Sequence, residues 1–251
     1  MINLVRNEWN KIFLPALMTT VILTIAMSVL SCTVYQNYSL QYDLEAWEIG
    51  TELFSMLYPL FVVMPLCWNL YYERKNNFLL YVMPRVKIKK YLTAKWIAYG
   101  IGTLCIIVIP YILSAVFALY VKAPVVPSVG NPFRHIFQNT FIEAPLLYAV
   151  AFSFWRGIIS LLIMTFGFVF ALYCKNIFVI LTGPFMYSIL ENFLLSILRL
   201  EIYRLVVSFD PTSMDPKVLS ISSFLVGPMV LGIVICLTAF LLSKKNAVVT
   251  I

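Results

Sequence analysis

Six apolar runs, each close to the length that crosses a lipid bilayer, constrain this chain more than any other feature. They cover about Ile12–Tyr35, Glu52–Tyr71, Trp96–Val121, Pro145–Cys174, Ile177–Leu198 and Ser220–Leu242. A spanning helix needs about 20 consecutive apolar residues. Inside lipid every backbone N–H and C=O must be satisfied within the protein, so runs of this kind are expected to be helices. Composition agrees. The chain is 62% hydrophobic and 12% charged, against about 45–50% and about 25% for soluble domains. No long polar segment leaves room for a soluble domain, and polar residues at Arg6–Glu8 and Asn10–Lys11 argue against an N-terminal signal peptide. The expected fold is an all-α integral membrane protein, six transmembrane helices in one domain spanning residues 1–251.

Lys and Arg set the orientation. With the N-terminus inside, Arg6, Lys11, Arg74, Lys75, Arg85, Lys87, Lys89, Lys90, Lys95, Lys175, Lys244 and Lys245 fall on the cytoplasmic side. Lys122, Arg134, Arg199, Arg204 and Lys217 fall outside, and Arg156 lies within the fourth run. Twelve against five predicts both termini in the cytoplasm. The first outside loop, residues 36–50, carries Asp43, Glu45 and Glu48 and no Lys or Arg, in agreement. The net charge of +7 does not imply nucleic acid, because the basic residues flank spans, where topology and anionic lipid headgroups account for them. No zinc-finger or RNP-like pattern is present.

Between the runs, the N-terminal segment places Leu4, Val5, Trp9, Ile12 and Phe13 near one helical stripe. Residues 1–11 are therefore expected to form an interfacial helix anchored by Trp9, the alternative being a plain extension of the first span. The outside loop 122–144 has breakers at Pro124, Pro127, Gly130 and Pro132, then a short helix expected over Phe133–Phe141. The outside element 199–219 is part-apolar, with turns at Asp210-Pro211 and Asp215-Pro216. It is read either as re-entrant or as a plain loop after a long fifth helix. Gly183-Pro184, Gly227-Pro228, Pro59, Pro65 and Pro110 are expected to interrupt spans.

The sequence lacks a catalytic constellation. The one histidine, His135, has no second His for a metal pair and reads as a solvated loop residue; GxSxG and the Gly-Lys-Ser/Thr phosphate loop are absent. Cys32, Cys67, Cys105, Cys174 and Cys236 lie in or beside apolar runs without CxxC spacing, so neither a disulfide framework nor a metal cluster is expected. Two charges fall within spans, Glu191 and Arg156. An ionisable group at membrane depth costs about 2.5 kcal/mol or more, so it usually faces a cavity or a partner. Glu191, with Asn192 beside it, and Arg156 are candidate substrate-path residues. They pair with each other, or else Glu191 is a packing contact and Arg156 a snorkelling side chain.

The segment Tyr72–Trp96, YERKNNFLLYVMPRVKIKKYLTAKW, joins the second and third runs and holds seven of the 18 basic residues. It also holds an apolar patch, Phe78–Met83, ending at Pro84. Leu79, Val82 and Met83 share a helical face, with Phe78 nearby. Isolated helices shorter than about 12–15 residues are marginal, so this one needs a surface to rest on. That surface is either a protein groove or the lipid interface.

The order of features here resembles the type 2 ABC transporter permeases. Glu73-Arg74, the Leu79-Leu80 patch, Pro84 and Lys95 entering the third span match the first cytoplasmic loop of that family, although Asn76-Asn77 stand where Gly-Thr is usual. Glu8-x-x-Lys11 is similar to the family's opening helix. The resemblance implies a permease domain with a cytoplasmic coupling loop at residues 72–95. Its coupling helix would be Asn76–Met83, with Phe78, Leu79 and Val82 docked in an ATPase groove and Glu73 and Arg74 salt-bridged to the N-terminal helix. It also implies separate ATPase subunits that bind ATP and Mg, no cofactor on this chain, and a second permease subunit, identical or homologous. Chain size and small outside loops resemble permeases of lantibiotic-immunity and peptide exporters. The implied activity is export of an amphipathic peptide, lipid-like molecule or drug across a bacterial plasma membrane. The alternatives are a membrane-embedded enzyme and a sensor or assembly partner that does not transport.

Overall fold

The apolar runs fold into helices, the first three of them longer than the runs themselves. The computed structural model describes residues 1–82, 84–125, 135–214 and 218–245. Among them there is no strand. Six helices are long and apolar enough to cross a membrane: α1 (Ile2–Thr33), α2 (Glu45–Lys75), α4 (Ile88–Tyr120), α6 (Pro145–Tyr173), α7 (Ile177–Ile197) and α9 (Ile221–Lys245). Three short helices join them: α3 (Phe78–Val82), α5 (Gln138–Glu143) and α8 (Leu205–Phe209). The chain is a multi-pass membrane protein by this architecture.

The last three long helices begin and end close to the apolar runs. The first three run further at polar ends, taking in Glu8, Lys11, Glu45, Glu48, Glu73 and Lys95. Hydropathy marks the part of a helix that suits lipid, whereas these extra turns carry charges paired with other parts of the chain. The prolines expected to interrupt spans, Pro59, Pro65, Pro110, Pro184 and Pro228, lie inside continuous helices, as does Pro15 of α1. Neighbouring helices in a membrane bundle can absorb such positions. The separate interfacial helix expected over residues 1–11 is instead the opening of α1, which continues without a break.

The helices α2, α4 and α6 form the centre. Half or more of the apolar window of each is buried, against 17% for α7 and α9. Helix α1 lies along α4, and α2 touches α1, α4, α6 and α7. Gly50 permits the approach of α1 to α2, since a Cβ there would collide with the backbone of Ser31. The core is aliphatic and aromatic, with Ile12, Leu66, Tyr99, Ile106, Ile159 and Met164 inaccessible to solvent. All five cysteines are free; Cys67 is buried and Cys236 exposed.

The segment after α7 turns back at Arg199, whose φ is 56°. It forms a 3-10 turn at Glu201–Tyr203 and then α8, which packs on α9, α7, α2 and α6. Phe209, at the end of α8, stacks on Tyr58 at 3.9 Å and 9° and meets Tyr111 edge-on. At 1.5 Å per residue, Tyr111 lies about 14 Å along α4 from the end at Tyr120. This segment therefore folds back into the bundle and is not a plain loop. Gly227 of α9 makes room, because a Cβ there would meet Ser208 Oγ at 2.7 Å and Leu205 Cα at 3.1 Å. The short helix expected over Phe133–Phe141 is found as α5, over Gln138–Glu143. Met83, Pro127, Gly130, Pro132, Phe133, Arg134 and Asp215–Lys217 lie outside the described residues.

Candidate functional site

Charged side chains are buried at both ends of the bundle. One end collects the start of α1, the end of α2, α3, the start of α4 and the α6–α7 turn. There, two carboxylates and two ammonium groups from three helices form a closed ring. Lys95 of α4, fully buried, holds Glu8 of α1 at 2.8 Å and also pairs with Glu73 of α2. Lys11 holds Glu8 at 2.5 Å and Glu73 at 2.9 Å. The Tyr91 hydroxyl lies 3.1 Å from Glu8 and 2.9 Å from Glu73. Each charge thus has opposite charges as neighbours, which burial of ions requires. Glu73 makes the expected salt bridge to the N-terminal segment. Arg74 does not: its guanidinium donates to the Cys174 carbonyl, tying α2 to the α6–α7 turn.

Helix α3 hangs below this ring. It is shorter than the expected Asn76–Met83, because Asn76 caps α2 and Asn77 takes a left-handed φ of 55° to turn the chain. Its residues include no buried side chain. Phe78, Leu80 and Tyr81 are 39%, 52% and 74% exposed, while Leu79 and Val82 are half-buried. The exposed apolar face is therefore Phe78-Leu80-Tyr81; of the expected anchors Phe78 lies on it, whereas Leu79 and Val82 are half-buried. Pro84 is exposed. Lys11, already in the ring, sits 5.0 Å from the centre of the Phe78 ring.

At the opposite end the charges grip α8. The fully buried Arg156 of α6 donates through Nε to the Phe209 carbonyl at 3.2 Å and through Nη2 to Asp210 at 3.0 Å. Its guanidinium also faces the rings of Tyr111 and Trp47 at 4.4 and 4.8 Å. Glu191 of α7 accepts from the Leu205 N–H at 3.0 and 3.2 Å, capping the first turn of α8. Arg156 and Glu191 therefore do not pair with each other; each holds one end of α8, the cation at the carbonyl end and the anion at the N–H end. The snorkelling alternative for Arg156 is excluded by its burial. Asn192 is half-buried beside Glu191.

His135 is not solvated. Its side chain is 8% exposed, with Nε2 3.1 Å from Glu45 and Nδ1 3.4 Å from Glu48, and its ring lies parallel to Phe141 at 3.8 Å. Burial alone would lower its pKa, but the hydrogen bonds to Glu45 and Glu48 outweigh it and push the imidazole up to about 9. With both ring nitrogens donating, it is a cation bridging two carboxylates. Nearby, Asp43 pairs with Lys122 at 2.6 Å and accepts from the Val125 N–H. Burial would raise the Asp43 pKa, but these partners hold it below the usual carboxylate value.

Sequence reasoning did not single out Glu8–Lys95, Arg156–Asp210 or His135–Glu45–Glu48. The spacing Glu8-x-x-Lys11 was visible, but Asp210 carries only a turn signal, and long-range partners leave no local pattern. Among the described residues no group of His, Cys, Asp or Glu is suited to hold a metal ion. Compared with protein-family models, curated proteins and solved structures, the chain shows no match.

Proposed function

We propose that this chain is the permease subunit of an ATP-driven exporter of the type 2 ABC class, in a bacterial plasma membrane with both termini cytoplasmic. The observation that carries the reading is the geometry of α3, a short helix with an exposed apolar face attached to a buried ionic ring that joins α1, α2 and α4. A helix of five residues is not stable by itself, and its exposed Phe78, Leu80 and Tyr81 suit a groove on another protein. The sequence holds no phosphate loop, so in this reading ATP and Mg bind a separate ATPase.

The ring gives a path for work. A push on α3 acts on Lys11 through Phe78 and on Glu73 through the end of α2. Helix α2 is continuous from Glu73 back to Tyr58 and Trp47, which touch Phe209 and Arg156. Closure of an ATP-bound ATPase pair would favour one arrangement of this linked set, a population shift driven by contacts that differ between states. The apolar surfaces of α7 and α9 face lipid or a second permease subunit. The apolar, aromatic-rich spans suit an amphipathic peptide or lipid-like cargo.

The test is reconstitution. The full-length chain is purified from native membranes, a co-purifying ATPase is identified and re-expressed, and its ATPase activity is measured with and without the chain. Stimulation that disappears with Tyr81→Asp, while the variant still inserts, supports the reading. A chain that brings down no ATPase, or one whose ATPase is indifferent to it, overturns it.

A further inference from the structure

The end of the bundle that bears α3 carries a large excess of exposed positive charge. Its two carboxylates, Glu8 and Glu73, are consumed in the ring with Lys11 and Lys95. Lys75, Arg85, Lys87, Lys89, Lys90 and Lys175 remain exposed, and among the described residues they form no ion pair. Lys87, Lys89 and Lys90 are also placed against helix physics. Lys87 caps α4, Lys89 and Lys90 sit in its first turn, and that turn has no acidic residue. The N-terminus of a helix is its positive end, where cations are unfavourable. These lysines do not stabilise α4, so an external anion would relieve the cost of placing them there.

Two sources of anion compete, lipid headgroups and a protein. Height favours a protein. Trp68, Tyr72 and Trp96 are each about two-fifths exposed and mark an interfacial aromatic level on α2 and α4. At 1.5 Å per residue, Lys75 lies only about 5 Å beyond Tyr72, but Lys90 lies about 9 Å and Ile88 about 12 Å beyond Trp96. The headgroup layer on each side of a bilayer is only about 5–7 Å thick. The basic residues at the start of α4 thus extend past that layer.

We infer that the partner of α3 is a protein whose apolar groove, which receives Phe78, Leu80 and Tyr81, is bordered by Asp and Glu residues facing Lys87, Lys89 and Lys90. This rests on the reading of α3 as an ATPase-docking helix and adds the chemistry of the surface it meets. Steering by such charges accelerates encounter and fades with ionic strength.

The experiment uses the full-length chain in nanodiscs of phosphatidylcholine alone, titrated with the ATPase that co-purifies with it. Lys87→Glu/Lys89→Glu/Lys90→Glu reverses the charge and places acids where the α4 N-terminus tolerates them, so the variant is expected to fold. Expected is an affinity loss on the order of tenfold to a hundredfold at low salt that largely disappears at high salt, together with a salt-independent loss for Tyr81→Asp. If Tyr81→Asp abolishes binding and the triple variant binds normally, the acidic border is overturned and the ATPase reading stands. If neither variant changes binding, or no ATPase co-purifies, both fall. A triple-variant defect seen only when the nanodiscs contain anionic lipid would assign the lysines to the membrane and overturn the inference.

Discussion

Helices α3 and α8 are both five residues long and both mainly apolar, Phe-Leu-Leu-Tyr-Val and Leu-Val-Val-Ser-Phe, yet their environments are opposite. None of α3 is buried. In α8, Leu205, Val207, Ser208 and Phe209 all are. Each lies beside buried charge, so proximity to ions does not separate them. What differs is where the ions point. Arg156 and Glu191 bind the backbone and flank of α8 itself, so the charges of the spans are satisfied only when α8 is seated. The charges near α3 satisfy one another in a closed ring and leave α3 outside it. One short helix is part of the core's electrostatics, and the other is left free to meet something else.

The sharpest way to break this contrast is Arg156→Met, which removes the cation that Asp210 meets at 3.0 Å. Loss of one partner of a buried pair costs about 3–5 kcal/mol, so a large drop in thermal unfolding midpoint in detergent is expected. Arg156→Met/Asp210→Leu should recover most of that loss, since an apolar pair of similar volume removes both buried charges. A single variant as stable as the parent would mean that α8 is held by packing alone.

Lys95→Met should cost less, about 2–3 kcal/mol. Lys95 is fully buried, but Lys11 remains beside both carboxylates with a side chain 36% exposed, so water can reach the broken ring. Unfolding in detergent again gives the value. An effect larger than that of Arg156→Met would reverse the ranking of the two ends.

His135 gives the α8 end a titration between pH 6.5 and about 9; the α3 end has no histidine. Its folded pKa of about 9 lies above the ordinary 6.5, so protonation favours the folded state. Its contribution is complete below pH 6.5 and is lost as pH rises through about 9. His135→Gln should cost about 1–2 kcal/mol at pH 6 and reduce the slope of stability between those pH values. An unchanged slope would place the titration elsewhere.

Much of the architecture could be read from the sequence, because membrane helices announce themselves by length and hydropathy. The partners of the charges could not. Glu191 and Arg156 were recognisable as costly within spans, and the cost was real, but each was met from α8 and neither by the other. Asp210-Pro211 looked like a turn, which it is; that this turn lies in the core depends on Gly227, Tyr58 and Tyr111, residues distant in sequence. His135 looked solvated because its carboxylates lie on α2, beyond any local window. The apolar patch at 78–83 was visible, but helical spacing chose Leu79 and Val82 with Phe78, whereas the chain that leaves the left-handed turn at Asn77 exposes Leu80 and Tyr81 beside Phe78.

The smallest stability effect is expected at that rotated face. Leu80→Asp places a carboxylate at a position that is 52% exposed, where neither desolvation nor lost packing should exceed about 0.5 kcal/mol. The unfolding midpoint should stay near that of the parent chain while binding of the proposed ATPase partner falls. Conversely, a substantial loss of stability would show that Leu80 packs on its own chain, and α3 would then differ from α8 only in degree. The two helices are distinguished most directly by this separation: charge at α8 disrupts the fold, whereas charge at α3 disrupts only what α3 touches.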